Sequence, residues 1–193
     1  MKKYGIFGGT FNPPHIAHSI VAENVRQQLN LDKIIFIPSG NPPLKNSIPA
    51  EHRLAMAKLA FGNNKNFEVS EIEIDRPDEK SFTVNTLQML QKKYINDQVE
   101  LFLIVGIDNL IDFPKWKEPE KLFELSEVVV INRPNFSDTD SKIEFSSKVK
   151  FVTVPFLEIS SSSIRQLVSD NRSIHYLVNP DVEKYIADHK LYI

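Results

Sequence analysis

The chain contains 193 residues, of which 41% are hydrophobic, and this is enough to bury a core as a single domain over 1–193. Its formal net charge of −2 argues against a nucleic-acid-binding protein, which usually carries an obvious basic excess. The absence of cysteine excludes disulfides and a thiol nucleophile, and no apolar run approaches the length of a membrane span. Because no secretory signal is recognisable, we expect a cytoplasmic protein without nucleic-acid or membrane partners.

Strand and helix patterns alternate along the chain. Short apolar and β-branched runs predict strands at 3–7, 33–38, 67–74, 99–105, 127–131 and 149–154. Amphipathic patterns and capping residues predict helices at 16–29, 49–61, 84–94, 119–125, 162–169 and 180–187. This alternation implies an α/β fold with a doubly wound, mostly parallel, Rossmann-like sheet. Ligands of such sheets bind beyond the carboxyl ends of the strands, where the strand order reverses.

The segment 8–18, GGTFNPPHIAH, directly follows the first predicted strand. Gly8 and Gly9 have no Cβ, so backbone N–H groups can approach a ligand closely. His15 and His18 fall in the first turn of the next helix, where the helix dipole favours anions. Their i, i+3 spacing puts both imidazoles on one side of that turn. The segment therefore predicts a phosphate site.

Other interpretations of this segment fail on particular residues. No Gly-Lys-Ser/Thr follows the glycines, so the segment is not a P-loop, and the glycine spacing does not fit the dinucleotide fingerprint. Two histidines could bind zinc, but the helical zinc motif needs i, i+4 spacing, and no third ligand is evident. We therefore predict no metal site built by the protein. The remaining alternative is a pair of histidines that only cap or pack.

A second segment, ISSSSIR at 159–165, has complementary chemistry. Its serines can cap a helix that continues through Ile164, and the first N–H groups of that helix can bind an anion. Arg165 adds a cation that can contact a phosphate oxygen. The alternative is a serine-rich helix cap with a surface arginine.

Taken together, the two segments resemble the GTFxPxHxxH and ISSxx(I/V)R signatures of a nucleotidyltransferase superfamily. Within it, the chain is most similar to the bacterial nicotinate-nucleotide adenylyltransferase family. Supporting segments are NPPLK at 41–45, SFTVNTL at 81–87, GID at 106–108 leading to PKW at 114–116, and NRP at 132–134. The chain departs from the family pattern at Ala17 and Ile107, where the family has glycine and a small residue. It also has Asn85 in place of aspartate.

The resemblance implies adenylyl transfer from ATP to nicotinate mononucleotide in NAD biosynthesis, with Mg²⁺ delivered with ATP and no protein nucleophile. It implies that the catalytic residues are His15, His18, Lys45 and Arg165, with the main transition-state role at His18. The ATP-binding residues that it implies are Gly8, Gly9, Thr10, Phe11, Gly106, Asp108, Arg133, Ile159, Ser160, Ser161 and Ser162.

For the acceptor, the resemblance implies backbone hydrogen bonds from Thr86 to the pyridine carboxylate, stacking of Trp116 on the ring, and a cation at Lys117. Simpler interpretations stay open for several residues. Lys45 could be a solvated surface lysine, Asp108 an ordinary helix cap, and Trp116 a side chain partly buried against the sheet.

Two other functions are compatible with the motifs. A sister enzyme transfers the adenylyl group to phosphopantetheine, but its members are typically shorter and lack the lysine loop at 41–45 and the 106–116 segment. A nucleotide-sensing module on the same fold would not need the histidine pair. The sequence leaves open whether the chain forms a homo-oligomer.

Overall fold

The computed structural model describes residues 1–42, 47–132 and 143–193. Six strands in these ranges form one sheet, in the order β3-β2-β1-β4-β5-β6, and every neighbouring pair is parallel. The strands are β1 (Lys2–Gly9), β2 (Lys33–Pro38), β3 (Phe67–Val69), β4 (Val99–Gly106), β5 (Glu127–Asn132) and β6 (Lys150–Thr153). The predicted doubly wound parallel sheet is confirmed.

The strand order reverses at β1, which lies between β2 and β4. β1 pairs with β2 as far as Gly9 opposite Pro38, but its pairing with β4 ends at Ile6 opposite Leu103. The last residues of β1 are therefore paired on one side only. A crevice between the carboxyl ends of β1 and β4 is the position where doubly wound sheets bind ligands.

Seven helices connect and flank the strands in the described ranges. They are α1 (Ile16–Gln28), α2 (Ala50–Phe61), α3 (Thr83–Lys93), α4 (Ile107–Asp112), α5 (Pro119–Leu125), α6 (Ser161–Ser169) and α7 (Pro180–Asp188). A 3₁₀ turn, Phe113–Lys115, follows α4. Neither α4 nor this turn was predicted, because six residues are too few to show a helical period.

The third strand is shorter than the sequence predicts. It ends at Val69, opposite Phe36, whereas the prediction extended to residue 74. The neighbouring strand β2 ends at Pro38, which has no N–H to donate to a ladder. Beyond Ser70 the chain turns, and the Asp75 N–H bonds to the Glu71 carbonyl.

Both faces of the sheet are buried. Alternate residues of β2 and β4 contribute to two separate hydrophobic clusters, with Ile35 and Leu103 on one face and Phe36 and Ile104 on the other. The second face includes residues of α1 and α2. A third cluster joins α2 to α6 and α7 through Met56, Ile164, Val182 and Ile186, so the C-terminal helices pack against α2. None of the helices described here is long and apolar enough to cross a bilayer.

Candidate active site

The end of β1 and the turn that leads from it into α1 form the first part of the candidate site. A Cβ built on Gly8 would meet nothing within 4 Å, so this position faces open space. A Cβ on Gly9 would lie 2.9 Å from the ring of Phe11. That ring is buried, and it packs edge-on against Phe61 and His18. Gly9 therefore makes room for Phe11, whereas Gly8 leaves room beside the crevice.

The two histidines lie together at the start of α1. His15 is the N-cap residue, and His18 is the third residue of the helix. Their rings stack with centroids 3.7 Å apart and an interplanar angle of 30°. The backbone N–H of His15 donates to His18 Nδ1 at 3.0 Å. In the neutral ring of His18 the proton is therefore on Nε2, which makes Nε2–H a hydrogen-bond donor.

Both imidazoles are uncharged at neutral pH in the free protein. Burial lowers the pKa of His15 from 6.5 to about 4. Burial, together with the neighbouring His15, lowers the pKa of His18 to about 3. Within the described part of the chain, Nδ1 of His15 is buried and has no hydrogen-bond partner. An anion bound beside this pair would favour the protonated forms and raise both pKa values.

The serine segment packs against this turn from the C-terminal part of the chain. Ser160 caps α6 by accepting a hydrogen bond from the Ser163 N–H at 3.1 Å. The hydroxyl of Ser161 donates to the Pro13 carbonyl at 2.7 Å, and Nη1 of Arg165 donates to the Asn12 carbonyl at 2.8 Å. The structure thus brings the two sequence segments together at one edge of the sheet, although the strands that precede them, β1 and β6, are not neighbours.

The remaining residues of the serine segment lie close to its cap. The hydroxyl of Ser162 is exposed and lies 3.0 Å from that of Ser160. Ile159 is partly buried and packs against the third cluster. Thr10 contributes its carbonyl to the site's scaffold, where it accepts a hydrogen bond from Arg53.

The carboxyl end of β4 lies at the same edge of the sheet as the carboxyl end of β1. Gly106 is the N-cap of α4, and a Cβ built on it would meet nothing within 4 Å. Asp108 lies in the first turn of α4, not at the cap position, so the expected alternative of an ordinary aspartate cap is wrong. Ile107 is only 5% exposed and belongs to the core. The Ile107 side chain, where the family has a small residue, therefore points away from the open edge. Ala17, which replaces the family's glycine near the histidines, lies within α1.

Thr86 lies in α3, but its donors are already used. Its N–H bonds to the Phe82 carbonyl at 3.2 Å, and its hydroxyl donates to Glu73 Oε1 at 2.6 Å. The helix begins at Thr83, one residue earlier than predicted, so Thr86 is its fourth residue and its N–H falls inside the first hydrogen-bonded turn. The expectation of a free Thr86 backbone donor is corrected. The helix-start N–H groups without an intrahelical acceptor are those of Thr83 and Val84.

Lys117 and Trp116 approach this helix start from the segment after α4. Lys117 Nζ lies 3.3 Å from Asn85 Oδ1 and 5.2 Å from the centroid of the Phe82 ring. Asn85, where the family has aspartate, accepts this hydrogen bond without adding a negative charge. Trp116 is partly buried, with its ring centroid 4.5 Å from that of Phe113. In the free protein Trp116 is therefore partly buried, as the simpler interpretation of the sequence expected. Its stacking on a pyridine ring stays a prediction.

Two predicted site residues, Lys45 and Arg133, lie outside the described residues, and their roles stay predictions. Sequence reasoning also missed a residue that organises the site. Arg53 of α2 is 1% exposed, and it donates to the carbonyls of Ile48, Thr10 and Gly40. A signal was present, because Arg53 shares a helix face with buried Met56 and Ala57 at i+3 and i+4.

Nucleotidyltransferases generally use a divalent metal ion together with ATP. Across residues 1–42, 47–132 and 143–193, no group of three or more His, Cys, Asp or Glu side chains could hold a metal ion.

The fold and this edge define a class of protein. Doubly wound parallel sheets that present glycines and helix starts at the switch point are typical of α/β proteins that bind phosphate-bearing ligands. The cytidylyltransferase-like family matches residues 6–167 of the chain.

Relatives narrow this class. A Roseiflexus sp. (strain RS-1) protein named "Probable nicotinate-nucleotide adenylyltransferase" is 42% identical, covering 97% of this chain and 96% of the relative. A protein of the same name from Lachnoclostridium phytofermentans is 36% identical and covers 100% of both chains. The structure of Plasmodium falciparum nicotinic acid mononucleotide adenylyltransferase complexed with NaAD shares the fold, with a TM-score of 0.80 at 21% identity over 100% of this chain and 98% of that one. The chain belongs to the cytidylyltransferase-like family and, within it, to the nicotinate-nucleotide adenylyltransferases, which confirms the resemblance seen in the sequence.

Proposed function

We propose that this chain, acting as a single nucleotidyltransferase domain, transfers the adenylyl group of ATP to nicotinate mononucleotide. The products are nicotinate adenine dinucleotide and pyrophosphate, a step of NAD biosynthesis. The observation that carries the proposal is the donor orientation of His18, whose Nδ1 is occupied by the His15 N–H at the carboxyl edge of the sheet. Relatives that cover the whole chain support the choice of acceptor.

The chemistry needs no protein nucleophile. The acceptor phosphate is ionised near neutral pH, and one of its oxygens attacks the α-phosphorus of MgATP. The new bond joins that oxygen to the α-phosphorus, and the bond from the α-phosphorus to the bridging oxygen breaks as pyrophosphate leaves. The protein must align the two nucleotides and stabilise the charge that grows on the α-phosphate and the leaving group.

We assign that stabilisation to the donors around the first turn. Nε2–H of His18 would contact the α-phosphate, and His15 would contact a neighbouring phosphate. The N–H groups at the start of α6, the hydroxyls of Ser160 and Ser162, and the guanidinium of Arg165 would hold the rest of the triphosphate. Lys45 would add a cation from the loop after β2.

The nucleoside part of ATP would lie across the open glycine positions. Gly8 and Gly106 leave space for close approach, and Asp108 suits the ribose hydroxyls. We assign the other ATP contacts to Gly9, Thr10, Phe11, Arg133, Ile159 and Ser161, as the family pattern implies.

The acceptor would bind near the start of α3. The pyridine carboxylate is an anion, and it would meet the helix-start N–H groups and the ammonium of Lys117, with Trp116 against the ring. Because Asn85 adds no negative charge beside Lys117, the local field favours the acid over the uncharged amide.

A pyrophosphate-release assay tests the proposal. The purified chain with ATP and Mg²⁺ should release pyrophosphate when nicotinate mononucleotide is added, and mass spectrometry should detect nicotinate adenine dinucleotide. Release with phosphopantetheine instead would transfer the chain to the sister activity. ATP binding without release from either acceptor would indicate a nucleotide-sensing module. The cytoplasmic location stays a prediction that fractionation of the source cells would check.

A further inference from the structure

A tyrosine near the C-terminal end of the chain contacts the turn between β1 and α1, residues 10–15. The hydroxyl of Tyr192 donates to Asn12 Oδ1 at 2.7 Å, a contact between residues 180 positions apart. Asn12 is only 8% exposed, and Tyr192 is partly buried. This is a specific polar contact within the scaffold of the site and not a surface hydrogen bond.

The contact belongs to a set of donors that hold one short stretch of backbone. Arg53 donates to the Thr10 carbonyl, Arg165 to the Asn12 carbonyl, and Ser161 to the Pro13 carbonyl. Between these points Phe11 has a φ of 49°, a left-handed conformation that a phenylalanine adopts only when its surroundings impose it. Of these donors, only the Tyr192 hydroxyl holds the Asn12 side chain, and it thereby fixes the orientation of the amide.

The same stretch leads directly into the histidine pair. After Asn12 come two prolines with restricted φ, and then His15, whose N–H occupies Nδ1 of His18. A shift of the turn would move this N–H away from the ring. His18 would then lose the bond that keeps its proton on Nε2.

We propose that Tyr192 is a positioning residue for adenylyl transfer, acting through Asn12 to hold the His15 N–H on His18 and so to keep Nε2–H directed at the α-phosphate. This inference rests on the proposed function for its catalytic consequence. Burial raises the pKa of Tyr192, which keeps its hydroxyl protonated and able to donate at neutral pH.

Substitution of Tyr192 by phenylalanine tests the proposal, because it removes one hydroxyl and keeps the ring. Tyr185→Phe is the matched control. Tyr185 also belongs to the C-terminal segment, but its hydroxyl lies 3.0 Å from His52 Nδ1 of α2 and does not bond to the turn. We expect Tyr192→Phe to lower kcat about 10- to 100-fold, the scale of a misplaced catalytic group. The KM for ATP should stay within about twofold, and Tyr185→Phe should keep the wild-type kcat with a similar change in Tm. An unchanged kcat in Tyr192→Phe, or equal losses in both variants, would overturn the proposal.

A double-mutant cycle checks the route of the effect. In an Asn12→Ala background, Tyr192→Phe should cause no further loss of kcat, because the side chain through which it acts is gone. Additive losses of kcat would show that the hydroxyl acts by another route, and the proposal would then be wrong.

A measurement without substrate separates this inference from the proposed function. ¹⁵N spectra of the free protein should show His18 as the single Nε2–H tautomer in the wild type and in Tyr185→Phe, but as a mixture in Tyr192→Phe. An unchanged tautomer in Tyr192→Phe overturns the positioning role whatever the rates show. If the wild type releases no pyrophosphate with nicotinate mononucleotide, the proposed function fails, and the tautomer still decides the role of Tyr192.

Discussion

At the start of α1, two stacked imidazoles form the proposed anion site as hydrogen-bond donors and not as permanent cations. Burial keeps both neutral in the free protein, and the His15 N–H selects the tautomer of His18. A neutral pair avoids the repulsion of two stacked positive rings.

His18→Ala should lower kcat by about 10²–10³, the usual cost of one preorganised donor to a developing negative charge. The KM for ATP should change little, because the glycines and the start of α6 still bind the ground state. Steady-state kinetics checks both values, with His189→Ala, an exposed histidine after α7, as the control. A raised KM with unchanged kcat would make His18 a binding residue only.

The lowered histidine pKa values also predict a pH dependence of folding. Between pH 6.5, the ordinary histidine value, and about pH 4, the unfolded chain binds more protons at His15 and His18 than the folded protein does. The free energy of unfolding should therefore fall as the pH is lowered through this window. Urea unfolding at about pH 7.5 and about pH 5 should show this loss, and a His15→Gln/His18→Gln variant should show less of it. An NMR titration of either ring with a midpoint near 6.5 would contradict the prediction.

Acceptor selectivity depends on Lys117 if its ammonium meets the pyridine carboxylate. Lys117→Ala should raise the KM for nicotinate mononucleotide roughly three- to fivefold, the scale of an exposed ion pair, and leave the KM for the amide nucleotide unchanged. Lys115→Ala is the neighbouring control, because Lys115 pairs with Asp112 at 2.7 Å. If Lys117→Ala does not change the preference for the acid over the amide nucleotide, the start of α3 and not Lys117 determines that selectivity.

At the scale of elements, α6 and α7 offer a matched pair of helix caps. Ser160 accepts from the Ser163 N–H, and Asn179 accepts from the Asp181 N–H. Both helices pack in the same cluster with α2. The start of α6 bonds to the turn before α1 through the Ser161 hydroxyl, whereas the Asn179 side chain bonds within its own helix start. A comparison of the two caps can therefore distinguish a role in stability from a role in ATP binding.

Ser160→Ala and Asn179→Ala should each destabilise the fold by about 1 kcal/mol, the typical cost of removing a cap. Thermal unfolding measures that loss. Only Ser160→Ala should also raise the KM for ATP, because its hydroxyl and the adjoining N–H groups would hold phosphate oxygens. If the two variants have equal KM values for ATP, the serine segment only caps α6 and does not bind the nucleotide.

At the scale of the whole molecule, the glycines of β1 lie in different surroundings, some packed against the core and one facing open space. A Cβ on Gly5 would lie 2.5 Å from Ile34 Cδ1 and 2.9 Å from Ile104 Cδ1, both in the core between the sheet and α1 and α2. Gly8, three residues further along the same strand, faces open space at the switch point.

Gly5→Ala should therefore destabilise the protein by about 1–3 kcal/mol through overpacking, while the folded fraction keeps the wild-type KM for ATP. Gly8→Ala should unfold at nearly the wild-type urea concentration but raise the KM for ATP about tenfold or more, because the added methyl occupies space that the nucleotide needs. A stable Gly8→Ala variant with normal ATP kinetics would show that nothing approaches this position closely.

Several features could be predicted from the sequence because they depend on neighbouring residues. The periodicity of apolar residues predicted six strands and six of the seven described helices, and their alternation predicted the parallel sheet. The serine segment predicted the start of α6. The anion site expected at the glycine turn with His15 and His18 stays a prediction. Each of these signals is a local backbone preference that the chain carries wherever it packs.

Other features required the folded chain. The short α4 and the early start of α3 are decided by packing, and the second of these removed the free backbone donor expected of Thr86. The neutral state of His18 depends on burial, which no spacing of residues reveals. Arg53 and Tyr192 were missed because their partners lie 43 and 180 residues away. The residue types of the candidate site could therefore be predicted from the sequence, whereas their protonation and their support were decided only by the tertiary structure, which buries both imidazoles and brings Arg53, Arg165 and Tyr192 to the first turn.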